Sequence, residues 1–187
     1  KEIEASPGYL LCNGSDGSAG GIHEIYIEKA QEDYVVECTE PPANDPFNLT
    51  LKKLDLDTGE SIRGTASTEG AIFEVTYYTN LDGNTDGDPE RTWYFKTDED
   101  GYFRCQDENF YVDSFSTSEG VEYESDELYR DTTQNRIIYP IGTYKIKEVL
   151  PPAYYKLEGN MNFVDDPGKK VDVTEGLSVV IKQDENG

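Results

Sequence analysis

Short stretches typical of β-strands recur along the chain and restrict its fold more than any other feature. They are residues 22–27, 34–38, 47–54, 71–78, 92–95, 142–149 and 176–181. Clusters of Gly, Asn, Asp and Pro lie between them, and these residues end strands because they favour turn conformations or lack a backbone N–H. This succession predicts an all-β fold of the sandwich type.

One stretch departs from this pattern. Residues 119–136 are rich in acidic side chains, and their apolar residues follow neither a clear helical nor a clear strand spacing. A short surface helix, an ordered loop and a disordered segment therefore remain as alternatives. In each case we expect an insertion between strands.

The charge of the chain restricts its partners. Its 187 residues contain 16 Lys and Arg against 39 Asp and Glu, a formal net charge of -23. Proteins that bind nucleic acid or anionic lipid depend on cationic side chains that contact phosphate. We therefore expect neither a nucleic-acid nor a membrane partner. Since disordered acidic tails are poor in aromatic residues, 14 Tyr and 7 Phe also predict a folded chain.

A proline-rich run divides the chain. Pro41, Pro42 and Pro46 cannot donate to a β ladder, so residues 41–46 are expected to be a linker. The segment 1–9 also resembles 147–155 in sequence, which suggests tandem modules. We interpret residues 1–40 as the C-terminal strands of a preceding module and 47–187 as one enlarged domain, within a longer protein.

Cysteine and histidine give little support for metal or nucleophilic chemistry. The chain has Cys12, Cys38, Cys105 and a single histidine, His23, without the spacing of a zinc site. A Cys12–Cys38 disulfide and small buried hydrophobic residues are both open interpretations. His23 is expected on a strand surface, because no triad is visible. The sequence therefore predicts no enzyme.

A calcium site is a weaker possibility. Asp82, Asn84 and Asp86 have the spacing of the first ligands of an EF-hand loop, but the twelfth position, which needs an acidic ligand, is Trp93. A hairpin turn is the first interpretation, and a calcium ion completed by oxygens from elsewhere is the alternative. No other cofactor is expected.

Four patches in a fixed order resemble one family. They are residues 51–59 (LKKLDLDTG), 70–73 (GAIF), 97–103 (TDEDGYF) and 142–148 (GTYKIKE), the last followed by Pro151, Pro152 and Tyr155. Together they are similar to the B-type repeat of Gram-positive collagen adhesins, also called the SpaA-like pilin domain. The resemblance covers residues 47–187.

The resemblance implies a transthyretin-like or Ig-like β-sandwich with long loop insertions, used as a stalk module in extracellular proteins anchored to the cell wall. Many members of the family carry a spontaneous isopeptide bond from Lys to Asn or Asp, promoted by a buried acid. Burial favours the neutral, nucleophilic amine and the protonated carboxyl group, so a folded core can catalyse its own crosslink.

The alternation of side chains identifies candidates for this reaction. Lys53 continues the apolar face of residues 47–51, and Glu148 continues the face of Tyr144 and Ile146. Asp184 and Asn186 are the candidate acceptors, although Gln183 stands where the family has its Asn or Asp and a bulge would be needed to turn Asp184 inward. A buried salt bridge of Lys53 with Glu148, or a Lys53 that reaches the sheet edge, is the alternative.

Two functions follow as expectations. The first is a non-enzymatic structural or adhesive module whose partners are neighbouring repeats of the same chain. The second is an adhesin domain that binds a host glycan or protein through insertions at residues 80–95 and 106–138. Four tyrosines, Tyr77, Tyr78, Tyr154 and Tyr155, are expected to pack structurally rather than to line a binding surface.

Overall fold

The computed structural model describes residues 49–130 and 135–182, and its regular structure in these ranges is β with one 3-10 turn, Glu108–Phe110. The strands are β1 (Thr50–Lys52), β2 (Ile62–Arg63), β3 (Ala66–Ser67), β4 (Ile72–Tyr78), β5 (Arg91–Lys96), β6 (Tyr102–Arg104), β7 (Tyr111–Val112), β8 (Ser114–Ser116), β9 (Glu122–Glu124), β10 (Gly142–Leu150), β11 (Asn160–Met161), β12 (Val171–Asp172) and β13 (Leu177–Ile181). The prediction of an all-β fold is confirmed. None of the described residues forms a helix long and apolar enough to cross a membrane.

A five-stranded antiparallel sheet is the main layer, in the order β13-β10-β4-β5-β7. Its centre pairs β10 with β4 from Thr143 opposite Tyr78 to Glu148 opposite Phe73, where a bulge follows. These strands form because their apolar and β-branched residues pack on a pleated surface buried on at least one face. The edge strand β13 runs antiparallel to β10 and ends with Ile181 opposite Gly142.

A short second layer covers the inner face of this sheet. Strand β1 pairs with β6, with Leu51 opposite Phe103. The ring of Phe103 lies 5.4 Å from that of Phe73 and 5.5 Å from that of Phe95, both on the large sheet. Strand β1 is therefore joined to the main sheet through an aromatic core.

The core is rich in aromatic residues whose polar atoms are satisfied. The Tyr139 hydroxyl donates to the Cys105 carbonyl, the Tyr77 hydroxyl to that of Ile141, and the Trp93 indole N–H to that of Glu127. Burial raises the pKa of Tyr77 to about 12. Such groups combine a large apolar surface with a fixed orientation, because an unpaired buried donor would be costly.

Most strand predictions inside the described ranges are confirmed within one or two residues. The stretches at 71–78, 92–95, 142–149 and 176–181 are β4, β5, β10 and β13, while the stretch at 47–54 forms only the three-residue β1. The predicted strands at 22–27 and 34–38, the 1–40 tail and the 41–46 linker lie outside the described residues.

The surface-helix alternative for residues 119–136 is wrong where the structure describes them. Strands β8 and β9 form a hairpin, with Phe115 opposite Tyr123. Gly120 closes the turn with a φ of 80° and donates its N–H to Thr117. This backbone conformation favours glycine, and the stacked aromatic pair stabilises the two strands.

Candidate functional site

Lys53 lies directly after β1, where a close backbone contact fixes its position. Its N–H donates to the carbonyl of Gly101 at 2.7 Å. Gly101 has a φ of 78°, and a Cβ there would lie 2.4 Å from the Lys53 carbonyl oxygen. Glycine is therefore required in the turn that holds Lys53 against the large sheet.

Glu148 occupies the inward face of β10. Tyr144, Ile146 and Glu148 alternate along this face and are all buried, whereas the intervening Lys145 and Lys147 are half-buried. The backbone N–H of Glu148 donates to the carbonyl of Val173 at 2.9 Å. Strand β10 thus places a carboxylate in a core formed mainly by aromatic and aliphatic side chains.

The structure brings these two predicted residues together. Lys53 Nζ lies 2.7 Å from Glu148 Oε2, and the exposed fractions of the two side chains are 11% and 0%. The ammonium group also lies 6.0 Å from the centre of the Phe73 ring. A salt bridge shielded from water in this way connects the residue after β1 to strand β10 of the five-stranded sheet.

Burial controls the protonation of the carboxyl group. It raises the pKa of Glu148 above its ordinary value of 4.5, and the hydrogen bond and charge of Lys53 oppose this shift. The second oxygen, Oε1, is buried and has no hydrogen-bond partner. Because an unpaired buried acceptor is costly, this oxygen marks a place where a third polar group would be stabilised.

The predicted acceptors of the crosslink stay a prediction. Asp184, Asn186 and the neighbouring Gln183 lie outside the described residues. The last described strand, β13, ends opposite Gly142, six residues before Glu148 on β10, which corresponds to about 20 Å along a strand. Strand β13 therefore runs away from the salt bridge.

A second buried acid at this end was not singled out by the sequence. Asp55 is 4% exposed. It accepts hydrogen bonds from the Thr58 N–H and hydroxyl at 2.9 Å each and from the Tyr155 hydroxyl at 3.1 Å. The bond from the Thr58 backbone is the main reason that its pKa is lowered. Asp55 thus fastens the loop after β1 to the loop after β10. Its only sequence signal is an Asp three residues before the Thr58-Gly59 turn.

The candidate calcium ligands form successive turns. Asp82 accepts from the Asn84 N–H at 2.9 Å, and Asn84 accepts from the Asp86 N–H at 2.8 Å. Across residues 49–130 and 135–182, no group of three or more His, Cys, Asp and Glu side chains has a metal-binding arrangement. The turn interpretation describes the observed contacts, and calcium binding stays a prediction.

Cys105 is buried in the core, and burial raises the pKa of its thiol. This agrees with the interpretation of a small hydrophobic residue. Cys12, Cys38 and His23 lie outside the described residues.

Among the tyrosines expected to pack, Tyr77 is buried and Tyr78 and Tyr155 are half-buried, but Tyr154 is 90% exposed. Tyr154 also has a φ of 72°, a conformation that disfavours a tyrosine. The expectation of packing is therefore wrong for Tyr154, because its backbone turns the side chain away from the core.

The sequence has no significant match among protein-family models or among curated proteins.

Proposed function

We propose that this chain is a non-enzymatic structural module of an extracellular, cell-wall-anchored bacterial surface protein or pilin. Its two facing β layers would be a transthyretin-like sandwich that acts as a stalk next to neighbouring repeats. The resemblance of four sequence patches supports this proposal. The observation that carries it is the buried Lys53–Glu148 pair, formed by residues from two of those patches at 2.7 Å.

The chemistry of the pair suits a structural role. A buried ion pair loses much of its attraction to desolvation, but removing one partner leaves a buried, uncompensated charge. Lys53 and Glu148 come from sequence positions 95 residues apart, so their pairing depends on the complete fold. The pair therefore specifies how β1 docks on the large sheet.

An isopeptide crosslink from Lys53 to Asp184 or Asn186 is a further state of the same module. It would form an amide, with loss of one water from Asp or one ammonia from Asn, and the acyl group would have to approach Nζ near the unpaired Glu148 Oε1. Asp184 and Asn186 lie three and five residues beyond the end of β13, and such segments span about 11 and about 18 Å when extended. Both lengths are less than the distance of about 20 Å between the end of β13 and Glu148 along the strand direction. We therefore expect the noncovalent ion pair to be the final state.

Intact mass spectrometry of the purified chain tests this expectation. The predicted mass equals that of the sequence, and Lys53→Ala should change it only by the substitution. A deficit of one water or one ammonia in the unmodified chain, absent from Lys53→Ala, would show that the crosslink forms.

The adhesin alternative is favoured by a different observation. The hairpin β8–β9 carries the stacked rings of Phe115 and Tyr123, 4.8 Å apart, and both meet Tyr94 edge to face. An open cavity of about 390 Å³ is lined by hairpin residues only: Ser114, Phe115, Ser116, Glu122, Tyr123 and Glu124. The depression is open to solvent, and its aromatic, hydroxyl and carboxylate groups are suitable for a glycan.

A glycan array distinguishes the two functions. An adhesin would retain specific glycans, and the double variant Glu122→Gln/Glu124→Gln would lose them, while Glu119→Gln in the turn would not. A structural module binds none of them. Binding that survives the double variant would place the glycan site away from the hairpin.

A further inference from the structure

Asp-Gly pairs occur in two turns of the described structure, where the same chemistry meets different surroundings. They are Asp82–Gly83 and Asp86–Gly87 in the loop after β4, and Asp100–Gly101 in the turn before β6. The side chain of an aspartate can react with the backbone nitrogen of the next residue to close a five-membered ring. Glycine allows this approach most readily because it has no Cβ. The fold therefore decides which of these pairs is free to react.

Two of the pairs are restrained through the N–H group of the glycine. The N–H of Gly83 donates to the hydroxyl of Thr143, a fully buried residue, at 3.2 Å. The N–H of Gly101 donates to the Asp98 carbonyl at 3.0 Å, and Gly101 is itself buried. In each case the nitrogen that would attack is held in a hydrogen bond, which must break before the ring can close. These two pairs are therefore protected by the structure.

The third pair has no such restraint. Asp86 and Gly87 are both exposed, and a Cβ at Gly87 would meet no atom within 4 Å. Within residues 49–130 and 135–182, neither the Gly87 N–H nor the Asp86 carboxylate has a hydrogen-bond or ion-pair partner. The backbone N–H of Asp86 donates to the Asn84 side chain at 2.8 Å, but this bond holds neither reacting group. Both groups are therefore free in solvent.

We propose that Asp86–Gly87 is a site of spontaneous isoaspartate formation, at which the loop after β4 modifies its own backbone. The Gly87 nitrogen bonds to the side-chain carboxyl carbon of Asp86, and the carboxyl OH leaves with the proton of that nitrogen as one water. A second water then opens the succinimide ring. Where this water breaks the bond between the Asp86 backbone carbonyl carbon and the Gly87 nitrogen, the chain continues through the side-chain carbon as isoaspartate.

The product alters the shape of the loop and keeps its charge. Isoaspartate places one additional methylene in the main chain and leaves a free carboxylate on the Cα of residue 86. The nearest ladder pair, Tyr77 with Arg91, lies outside the altered link, so the sheet should keep its register. The turn at Asn84 and the position of the predicted calcium ligands should change. This inference does not depend on the structural or adhesive role of the module.

Incubation of the folded chain at neutral pH tests the proposal, followed by digestion and electron-transfer fragmentation of the peptides, which distinguishes isoaspartate from aspartate. Isoaspartate should form at Asp86 about tenfold faster than at Asp82 or Asp100, since the hydrogen bond of each protected glycine adds to the barrier. In the urea-unfolded chain the three rates should become similar. The succinimide lacks one water, and this deficit, unlike that of the crosslink, should persist in Lys53→Ala.

Two variants test the role of the hydrogen bond. Thr143→Val keeps a β-branched side chain but removes the acceptor of the Gly83 N–H, so it should raise the rate at Asp82 toward that at Asp86. Asp86→Glu should abolish the product at residue 86, because the longer side chain would have to close a six-membered ring, and should leave the rate at Asp100 unchanged. Circular dichroism shows that both variants fold, and the comparison of sites in the unmodified chain needs neither variant.

A preference for Asp86 in the folded chain that disappears in urea supports the proposal. Equal rates at the three sites in the folded chain overturn it, as does an Asp86 that reacts only when the chain is unfolded. A preference that persists unchanged in urea would assign it to the local sequence and contradict the structural argument. A rate at Asp82 that Thr143→Val does not change would refute the protective role of the hydrogen bond.

Discussion

Two opposing effects act on the pKa of Glu148, burial and the charge of Lys53. Its side chain is fully buried, with one oxygen on Lys53 and the other without a partner. Burial raises its pKa more than the lysine lowers it. The folded state therefore holds a proton on Glu148 at pH values where the unfolded chain has released it, which couples stability to pH.

This coupling predicts that the free energy of unfolding decreases as pH rises. Because the folded pKa is raised, the stabilisation from protonated Glu148 is complete below its ordinary pKa of 4.5 and is lost as pH rises through the raised value. Urea unfolding at a series of pH values should show this decrease in the free energy of unfolding. The variant Glu148→Gln should lack it. An identical pH profile in both proteins would contradict the assignment.

The backbone conformation of Tyr154 provides a second prediction about a single residue. Glycine adopts its φ of 72° without steric penalty, and little packing is lost from a side chain that is 90% exposed. Tyr154→Gly should therefore raise the free energy of unfolding by about 1 kcal/mol relative to Tyr154→Ala, which keeps the strain. Thermal unfolding of the two variants measures the difference. A less stable glycine variant would show that the loop is not strained.

At the scale of elements, the strands of the large sheet could be predicted because each forms a continuous apolar or alternating pattern. The predicted inward faces of β1 and β10 also led to Lys53 and Glu148. The shorter strands β6 to β9 escaped prediction because they depend on distant contacts. For example, Ser125 and Asp126 side chains accept the N–H groups of Tyr94 and Thr92, and so cover part of the edge of β5.

The register of β13 could not be predicted from the sequence either. Alternation identifies which residues share a face, but it does not reveal the strand's neighbour or direction. The pairing of Ile181 with Gly142 is what separates the end of β13 from the salt bridge.

The turn before β6 provides a prediction about how elements dock. Gly101→Ala should destabilise the fold by about 3 kcal/mol or more, for two reasons. The new Cβ would clash with the Lys53 backbone, and the alanine would have to adopt a positive φ that is strained for it. Gly120→Ala has a similar φ of 80° with open space around it, so it should lose only about 1 kcal/mol. Equal losses in chemical denaturation would mean that the close approach at Gly101 contributes nothing.

At the scale of the whole molecule, the five-stranded sheet and the short β1–β6 layer form one aromatic core, and the Lys53–Glu148 pair joins the two layers at one end. Strand β13 ends at the other end of the sheet, with Ile181 opposite Gly142. The acidic surface favours solubility. The proposed structural role rests on this joined core and its buried ion pair.

The most direct test of this account is a double-mutant cycle on the buried pair, read as the free energy of unfolding in urea. Lys53→Met and Glu148→Met should each destabilise the fold by about 3–5 kcal/mol, because either leaves an uncompensated charge in the interior. The double variant should be far more stable than the sum of the two losses predicts. Strictly additive losses would contradict the claim that Lys53 and Glu148 act as one structural unit.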